Sequence, residues 1–512
     1  MRSADTPGSR RWIWSHSEVV AATSSREDAA RFDPSPRAQR DDRSWRLDPG
    51  PFAFAPLFYT GSPDDVTNLS TDPAALAALI DAPIDPVALF QGLRFGFLVG
   101  ARTIFRGVRR LGAGEVVLGD ERSARVTRRD AEASAPPTDQ ALVAALGAGI
   151  ADAYRGGCAV ELTGGVDSRL ALALGLAAGG APRLGFTIGG PENPDVRAAE
   201  AIAARFGIEH RSVRINDSWP ELGKDAAAFV ERSGYYSNAV EYAWLPAIFR
   251  QLRSFRSGQV TGGGGEAAYG FYDTPADALF RLRLARRFWT ESRLRKPGSA
   301  APGYFRPEAR STLGREAAED VAAALDGGPG SWRDRTARFY IEQRLRNWAA
   351  PVLCASAEWY RVAAPFMTSE YLRWALTLTP ERRAHRTAQL ALMRSAHPIL
   401  AAMPYAAAYT DRAAGRGSRI ARKIRRRLAS RVEAPDHYRR VAETLAADQR
   451  IRELVRALPD SCEALARERL DQALSRPGDH AVDFGFIVTA ALAENAKASL
   501  RQILHSPEPK EP

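Results

Sequence analysis

The chain has 512 residues, 45% hydrophobic and 26% charged, a composition that suits a soluble protein of about two domains and excludes wholesale disorder. Its net charge of +11 comes mostly from arginine spread along the whole length, with one dense run at Arg416–Arg440, and diffuse basicity of this kind argues against a nucleic-acid partner. Cys158, Cys354 and Cys462 lie far apart without metal spacing, no apolar run approaches a membrane span, and the polar N-terminus lacks a secretory h-region, so a cytoplasmic protein without a membrane partner is expected.

Residues 1–45, rich in Ser, Arg, Asp and Pro with Trp12 and Trp14 as bulky anchors, read as a poorly ordered leader. Residues 46–130 change texture: short apolar runs at Pro51–Tyr59, Phe95–Gly100 and Gly114–Gly119 are broken by Gly and Pro around an Ala-rich helix at Pro73–Ile80, as in a small strand-rich domain. After Pro136-Pro137, apolar strands alternate with amphipathic helices. Strand Cys158–Leu162 leads into a helix from about Ser168, Leu184–Ile188 into Val196–Phe206, and Arg211–Ile215 into a helix from Trp219; Gly258–Thr261 is a fourth strand. This spacing implies an α/β fold with a parallel sheet and helices on both faces. From about Ala276 onward the pattern is mainly helical, with an Arg-rich linker near Arg416–Arg427 and no internal repeat.

The strongest local signal is Glu161-Leu-Thr-Gly-Gly-Val-Asp-Ser-Arg169, where an apolar strand runs into a glycine pair and a helix follows at once. Gly164 and Gly165 let backbone approach phosphate oxygens with no Cβ in the way, Thr163 and Ser168 supply hydroxyls, and the new helix turns the positive end of its dipole toward the anion. Asp167 would repel phosphates unless it held a cation, so a Mg²⁺ ligand is its natural role. The spacing is not that of the G-x-x-x-x-G-K-[ST] loop. An ordinary Gly-Gly turn is the plain alternative; the flanking strand and helix and the hydroxyl at each end favour phosphate.

The loop resembles the S-G-G-x-D-S motif of N-type ATP pyrophosphatases, with Thr163 in place of the first Ser. It is most similar to the synthetase domain of asparagine synthetase and its relatives, the β-lactam synthetases and lasso-peptide macrocyclases. Further stretches carry the resemblance: Phe186-Thr-Ile-Gly-Gly190 lies where the adenine-binding segment is found, Asp195 to His210 matches the following helix and strand, and Val260-Thr-Gly-Gly-Gly-Gly-Glu-Ala-Ala-Tyr-Gly-Phe-Tyr272 resembles the second loop. So do Ala364-Pro-Phe-Met-Thr-Ser-Glu-Tyr-Leu-Arg-Trp-Ala375 and Met403-Pro404, while Pro56–Tyr59, Leu69–Leu79 and Ala101–Gly114 look like the latter half of a glutaminase domain. The resemblance implies a five-stranded parallel sheet of the adenine-nucleotide α-hydrolase type over 137–415, behind a degenerate Ntn-hydrolase-like β-rich domain at 46–130 and before a basic helical extension at 416–512. It implies ATP and Mg²⁺ as cofactors, with Leu162, Thr163, Gly164, Gly165, Asp167, Ser168, Thr187, Ile188, Gly262 and Gly264 around the nucleotide and Asp167 and Glu266 sharing the metal. Gly262–Gly265 has a flexible linker as its plain alternative.

Several departures qualify what the family pattern implies. Glutamine-dependent members carry a cysteine straight after the initiator Met; this chain reads Met1-Arg2-Ser3 and has no cysteine before Cys158, so no glutaminase is expected. The amine then arrives free, from a partner protein, or within the substrate, and a homodimer stays open. Relatives place Glu or Tyr at the position of Gly263 to help deprotonate the amine, and an acid at the position of Arg361, which has Glu358 one helical turn away. The family lysine that steadies the developing charge falls near Asp411–Gly415, where Arg412 is the cation at hand. The run Arg416–Arg440 is a solvated face or an attractor for an acidic substrate or leader peptide. His210 is expected as a packed residue and His385 as exposed.

The resemblance thus implies a ligase that adenylates a substrate carboxylate for capture by an amine, releasing AMP and pyrophosphate; lasso-type macrolactam closure and modification of a glycan or metabolite both remain open. A catalytically impaired ATP-binding scaffold and asparagine synthesis from external ammonia are the competing readings.

Overall fold

In the front part of the chain, short strands pair antiparallel, and inward residues of several of them share a core. The strands are β1 (Ile13–Ser15), β2 (Arg37–Arg40), β3 (Trp45–Asp48), β4 (Phe58–Gly61), β5 (Val66–Ser70), β6 (Arg109–Arg110), β7 (Glu115–Gly119) and β8 (Ala124–Arg128). One sheet runs β1-β5-β4-β6 and the other β2-β3-β7-β8. Trp45, Val117 and Ala124 of the second share a core with Tyr59, Val66 and Leu69 of the first. The computed structural model describes residues 13–15, 35–41, 44–120, 122–129, 135–215, 219, 221–255, 257–272, 289–296, 299–406 and 436–505.

Two strands fall inside the stretch read as an unordered leader. Ile13 pairs with Ser70, and Arg37 with Asp48, so β1 and β2 each add to the edge of an existing sheet. A polar segment without a core of its own can be fixed this way, because the sheet edge supplies its backbone hydrogen bonds.

The second unit holds a five-stranded parallel sheet of β9 (Cys158–Glu161), β10 (Leu184–Ile188), β11 (Glu209–Val213), β12 (Gly258–Val260) and β13 (Arg361–Ala363), in the order β11-β10-β9-β12-β13. Alternate residues of the strands feed two cores. Val160, Leu162, Val260 and Val362 join the large core with Leu146 and Leu170 of the helices Asp139–Arg155 and Val166–Ala177. Ala159, Phe186 and Val213 pack on the other face against Phe229, Phe249 and Ala355. Helices thus cover both faces, as the alternation implied. The strand expected at Arg211–Ile215 begins two residues earlier, because Gly207 ends the preceding helix in a left-handed cap (φ 65°) and the chain extends directly. Strand β13 has only three residues, too few to register as a period.

The chain leaves β9 toward β10 and β11, then returns on the other side of β9 to lay down β12 and β13. The direction of winding therefore reverses between β9 and β12, and in an open parallel sheet the crevice beyond the carboxyl ends at such a point is where ligands bind. Both glycine loops leave the sheet there. The described residues beyond β12 are mainly helical, as expected, and include the long helix Ala481–His505.

The two units meet over a pair of fully buried arginines. Arg110 donates to the carbonyls of Arg346 (2.9 Å), Ala53 and Phe54 (both 3.2 Å), and Arg346 to those of Leu111 (2.5 Å), Glu342 (2.8 Å) and Gly100. Burial lowers the proton affinity of both, that of Arg346 to about 10, yet each stays a cation solvated by backbone carbonyls. Replacing Arg346 with Leu strands those acceptors, so Arg346→Leu is expected to lose about 3 kcal/mol of stability in denaturant unfolding. A loss below about 1 kcal/mol would show that the clamp does not hold the units together.

Candidate active site

The first loop is braced by its own hydroxyls. Thr163 Oγ1 and Ser168 Oγ lie 2.8 Å apart, the Thr163 N–H donates to Ser168 Oγ (3.1 Å), and the Gly165 N–H donates to Thr163 Oγ1 (3.1 Å). The Gly164 N–H already holds an anionic oxygen, Asp195 Oδ1, at 2.9 Å. A phosphate oxygen arriving at Gly164 would exchange with that carboxylate, a role of Asp195 that the sequence did not reveal. The helix begins at Gly165 without a side-chain cap, so its first turn keeps donors for an anion. Leu162 and Thr187, both expected around the nucleotide, are locked together: the Leu162 N–H donates to Phe186 O (2.8 Å) and Thr187 Oγ1 donates to Leu162 O (2.5 Å). Thr187 also meets His210 Nε2 at 2.9 Å, and burial holds that imidazole below its ordinary pKa, in keeping with the packed role expected of it. Ile188 closes β10 beside them, half-buried.

The second loop is pressed against the first. A Cβ on Gly262 would come within 2.7 Å of Ser168 N, so only glycine allows the contact. Gly264 has φ +89°, in the left-handed region, where a Cβ would also strike Met367 Sδ at 2.6 Å. These constraints mark a fitted loop rather than a flexible linker. A short turn, Gly265–Ala268, then presents Glu266.

Glu266 is the largest charge acting on Asp167. Burial first, and then the Glu266 carboxylate, push Asp167 up to about 6, opposed by Arg386 and by a hydrogen bond from Gln389. Gln389 Nε2 donates both to Asp167 Oδ1 and to Gly265 O (2.9 Å), stapling loop to loop, and the Tyr371 hydroxyl donates to the same carbonyl at 2.9 Å. The Tyr340 hydroxyl bonds Glu266, and burial keeps it neutral. Among the described residues no cluster of three or more acidic, His or Cys side chains could hold a metal. Two carboxylates are nonetheless the donor set that suits Mg²⁺ shared with phosphate oxygens and water. The donors fit.

Three residues that the sequence reading passed over stand at this centre. Gln389 and Tyr371 tie it together, and Arg386 brings a cation. The Arg386 guanidinium lies 4.5 Å over the Tyr269 ring, and Arg386 and His385 both have left-handed backbone (φ 61° and 52°). Two successive non-glycine residues in that region carry strain, which collects at functional sites. Arg412 and most of Arg416–Arg440 lie outside the described residues. His385 is exposed, as expected. Arg361 is placed differently from what the resemblance implied: it pairs with Gly258, which pairs with Cys158, at the amino ends of the strands. There it lines a cavity of about 480 Å³ with Glu358 and Arg253, at the end of the sheet away from the loops. The side chains of Arg361 and Glu358 thus serve that edge and not the amine side of the crevice.

The asparagine synthase family model matches residues 155–475. No curated protein matches the chain. No helix among the described residues is long and apolar enough to cross a membrane.

Proposed function

The chain belongs to the asparagine synthase family, and from that premise we propose that it is an ATP-dependent amide ligase that adenylates a substrate carboxylate, releases pyrophosphate, and passes the acyl group to an amine with release of AMP. The observation that carries this reading is the meeting of Asp167 and Glu266 at the reversal point of the sheet, stapled by Gln389. Asp167 and Glu266 would hold Mg²⁺, which supplies charge neutralisation on the phosphate oxygens. Thr163 to Ser168 and the uncapped helix behind them hold the pyrophosphate that leaves, Leu162, Thr187 and Ile188 border the adenine, and Gly262 and Gly264 let the second loop close on the nucleotide. Arg386, and Arg412 from the sequence, are the cations for charge that develops on the adenylate. The chain's contribution is positioning and charge neutralisation.

Within this reading Cys158, Cys354 and Cys462 do not release the amine from glutamine: all three are buried, so none of them is poised as a nucleophile toward an amide. The amine comes free, from a partner, or within the substrate.

The test is pyrophosphate release from MgATP with a panel of amino acids, dicarboxylic acids and carboxyl-terminal peptides. At least one acid is expected to raise release above that with ATP alone, and Glu266→Ala is expected to abolish the increment. A second reading, an ATP-binding scaffold, draws on loop amides that are already engaged and on the bare backbone at Gly263. Nucleotide binding with no acid-stimulated release would favour it.

A further inference from the structure

Among the carboxylates at or just beyond the carboxyl rim of the sheet are Asp167, Glu266, Asp195 and Glu161. Asp167 and Glu266 face one another, and Asp195 holds the Gly164 N–H. Glu161 has no such duty. It closes β9, a central strand whose other residues, Cys158, Ala159 and Val160, are fully buried. A carboxylate there costs free energy that an apolar residue would not. Its side chain lies on the face of the sheet with Ala159 and Phe186, opposite the helix that begins the phosphate loop. Thr261 Oγ1 donates to Glu161 Oε2 at 2.5 Å and accepts the Gly263 N–H at 3.1 Å. The carboxylate therefore hangs between the two loops, one hydroxyl away from the second.

Two observations suit Glu161 to proton transfer. It is half-buried, with one oxygen held by Thr261 and no ion pair among the described residues, and burial raises its proton affinity while the Thr261 hydrogen bond opposes the rise. Gly263 leaves room beside that hydroxyl: a Cβ built on it would rest in ordinary contact with Thr261, 3.5 Å from Oγ1 and 3.9 Å from Cγ2. The bare backbone thus has space for a group of about one heavy atom next to the hydroxyl that holds Glu161.

We propose that Glu161 is the base that takes the proton from the attacking amine, held in place by Thr261. The inference rests on the ligase reading above. The amine nitrogen forms a bond to the acyl carbon, the bond from that carbon to the AMP oxygen breaks, and AMP leaves with the electron pair. The surplus proton on nitrogen passes to the Glu161 carboxylate, leaving a neutral amide.

The experiment separates the two half-reactions. ATP–pyrophosphate exchange, run with the acid panel, reports adenylation; amide formation with ammonium chloride or hydroxylamine reports capture. Glu161→Gln is expected to melt like the wild type, to keep most of its exchange, and to lose ammonia-dependent amide formation by ~100-fold or more. Hydroxylamine, uncharged at neutral pH and more nucleophilic, is expected to recover most of the rate. Thr261→Val, which keeps the carboxylate and removes its hydroxyl partner, is expected to shift the acid limb of the capture profile to higher pH. Equal capture by Glu161→Gln and wild type would overturn the proposal, as would loss of exchange in a folded variant. So would weakened ATP affinity with no matching loss for 2′-deoxyATP, which would make Glu161 a ribose contact. Absence of exchange in the wild type with every acid would remove the ligase reading itself, and this inference with it.

Discussion

Asp167→Asn is expected to be more stable than the wild type in the absence of metal and to release no pyrophosphate. The wild-type carboxylate is buried, faces the Glu266 charge, and titrates near 6 instead of its ordinary 3.8. Because the folded state binds this proton more tightly than the unfolded chain, protonation stabilises the fold fully below about pH 3.8, and that contribution is lost as pH rises through about 6. At pH 7.5 without Mg²⁺ the wild type therefore carries a buried charge and a repulsion that Arg386 and Gln389 offset only in part. Asparagine removes the charge, keeps the shape, and still offers Oδ1 to Gln389 Nε2. Melting curves in EDTA at pH 5 and pH 7.5 should show the variant's advantage only at the higher pH. With MgATP the order should reverse, since the wild type gains a ligand and the variant does not, and turnover should fall by more than the ~10–100-fold typical of losing an outer partner. A variant with unchanged Mg²⁺ dependence would remove Asp167 from the metal site.

The two carboxylates proposed for the metal drew attention in the sequence through their neighbours. Asp167 follows a glycine pair across Val166, and Glu266 directly follows a glycine run, so each stands within a few residues of its own loop. Gln389 gave no such signal. It lies 222 residues beyond Asp167, in a helix whose composition is ordinary, and only the folded chain brings its amide to both loops. Arg386 was equally silent, one arginine among many, and nothing in its residue type announces its left-handed backbone. The strands β13 and β1 were hidden by their length of three residues, and β2 by its polarity, since the order of β1 and β2 comes from a neighbour's edge. Arg361 shows the converse limit. Counting back from Pro365 put it near the amine, whereas its register with Gly258 puts it at the other end of the sheet.

Gln389 supplies the second large effect. Its side chain is fully buried, and its Nε2 serves the Asp167 carboxylate and the Gly265 carbonyl, while Oε1 has no partner among the described residues. The amide orientation follows from that network, because both neighbours are acceptors and only the NH₂ end can face them. Gln389→Leu keeps most of the volume and removes both bonds, so it leaves the Asp167 carboxylate without this donor and the Gly265 carbonyl with Tyr371 alone, and it cuts the staple between the two loops. Mg²⁺ affinity, measured by titrating the metal at fixed ATP, is expected to fall ~10–100-fold, with melting lowered in EDTA as well. Gln389→Glu separates geometry from volume. It keeps the shape, brings a third carboxylate to a place where the wild type has two, and loses the donor that Asp167 uses. That variant is expected to bind Mg²⁺ or Ca²⁺ without nucleotide, because three carboxylates satisfy more of a hard cation's shell, while the added charge repels the triphosphate and turnover falls. Wild-type affinity for Mg²⁺ in the Leu variant would show that the loops hold their spacing unaided, and the packing of Gly262 on Ser168 would then be the contact that sets it.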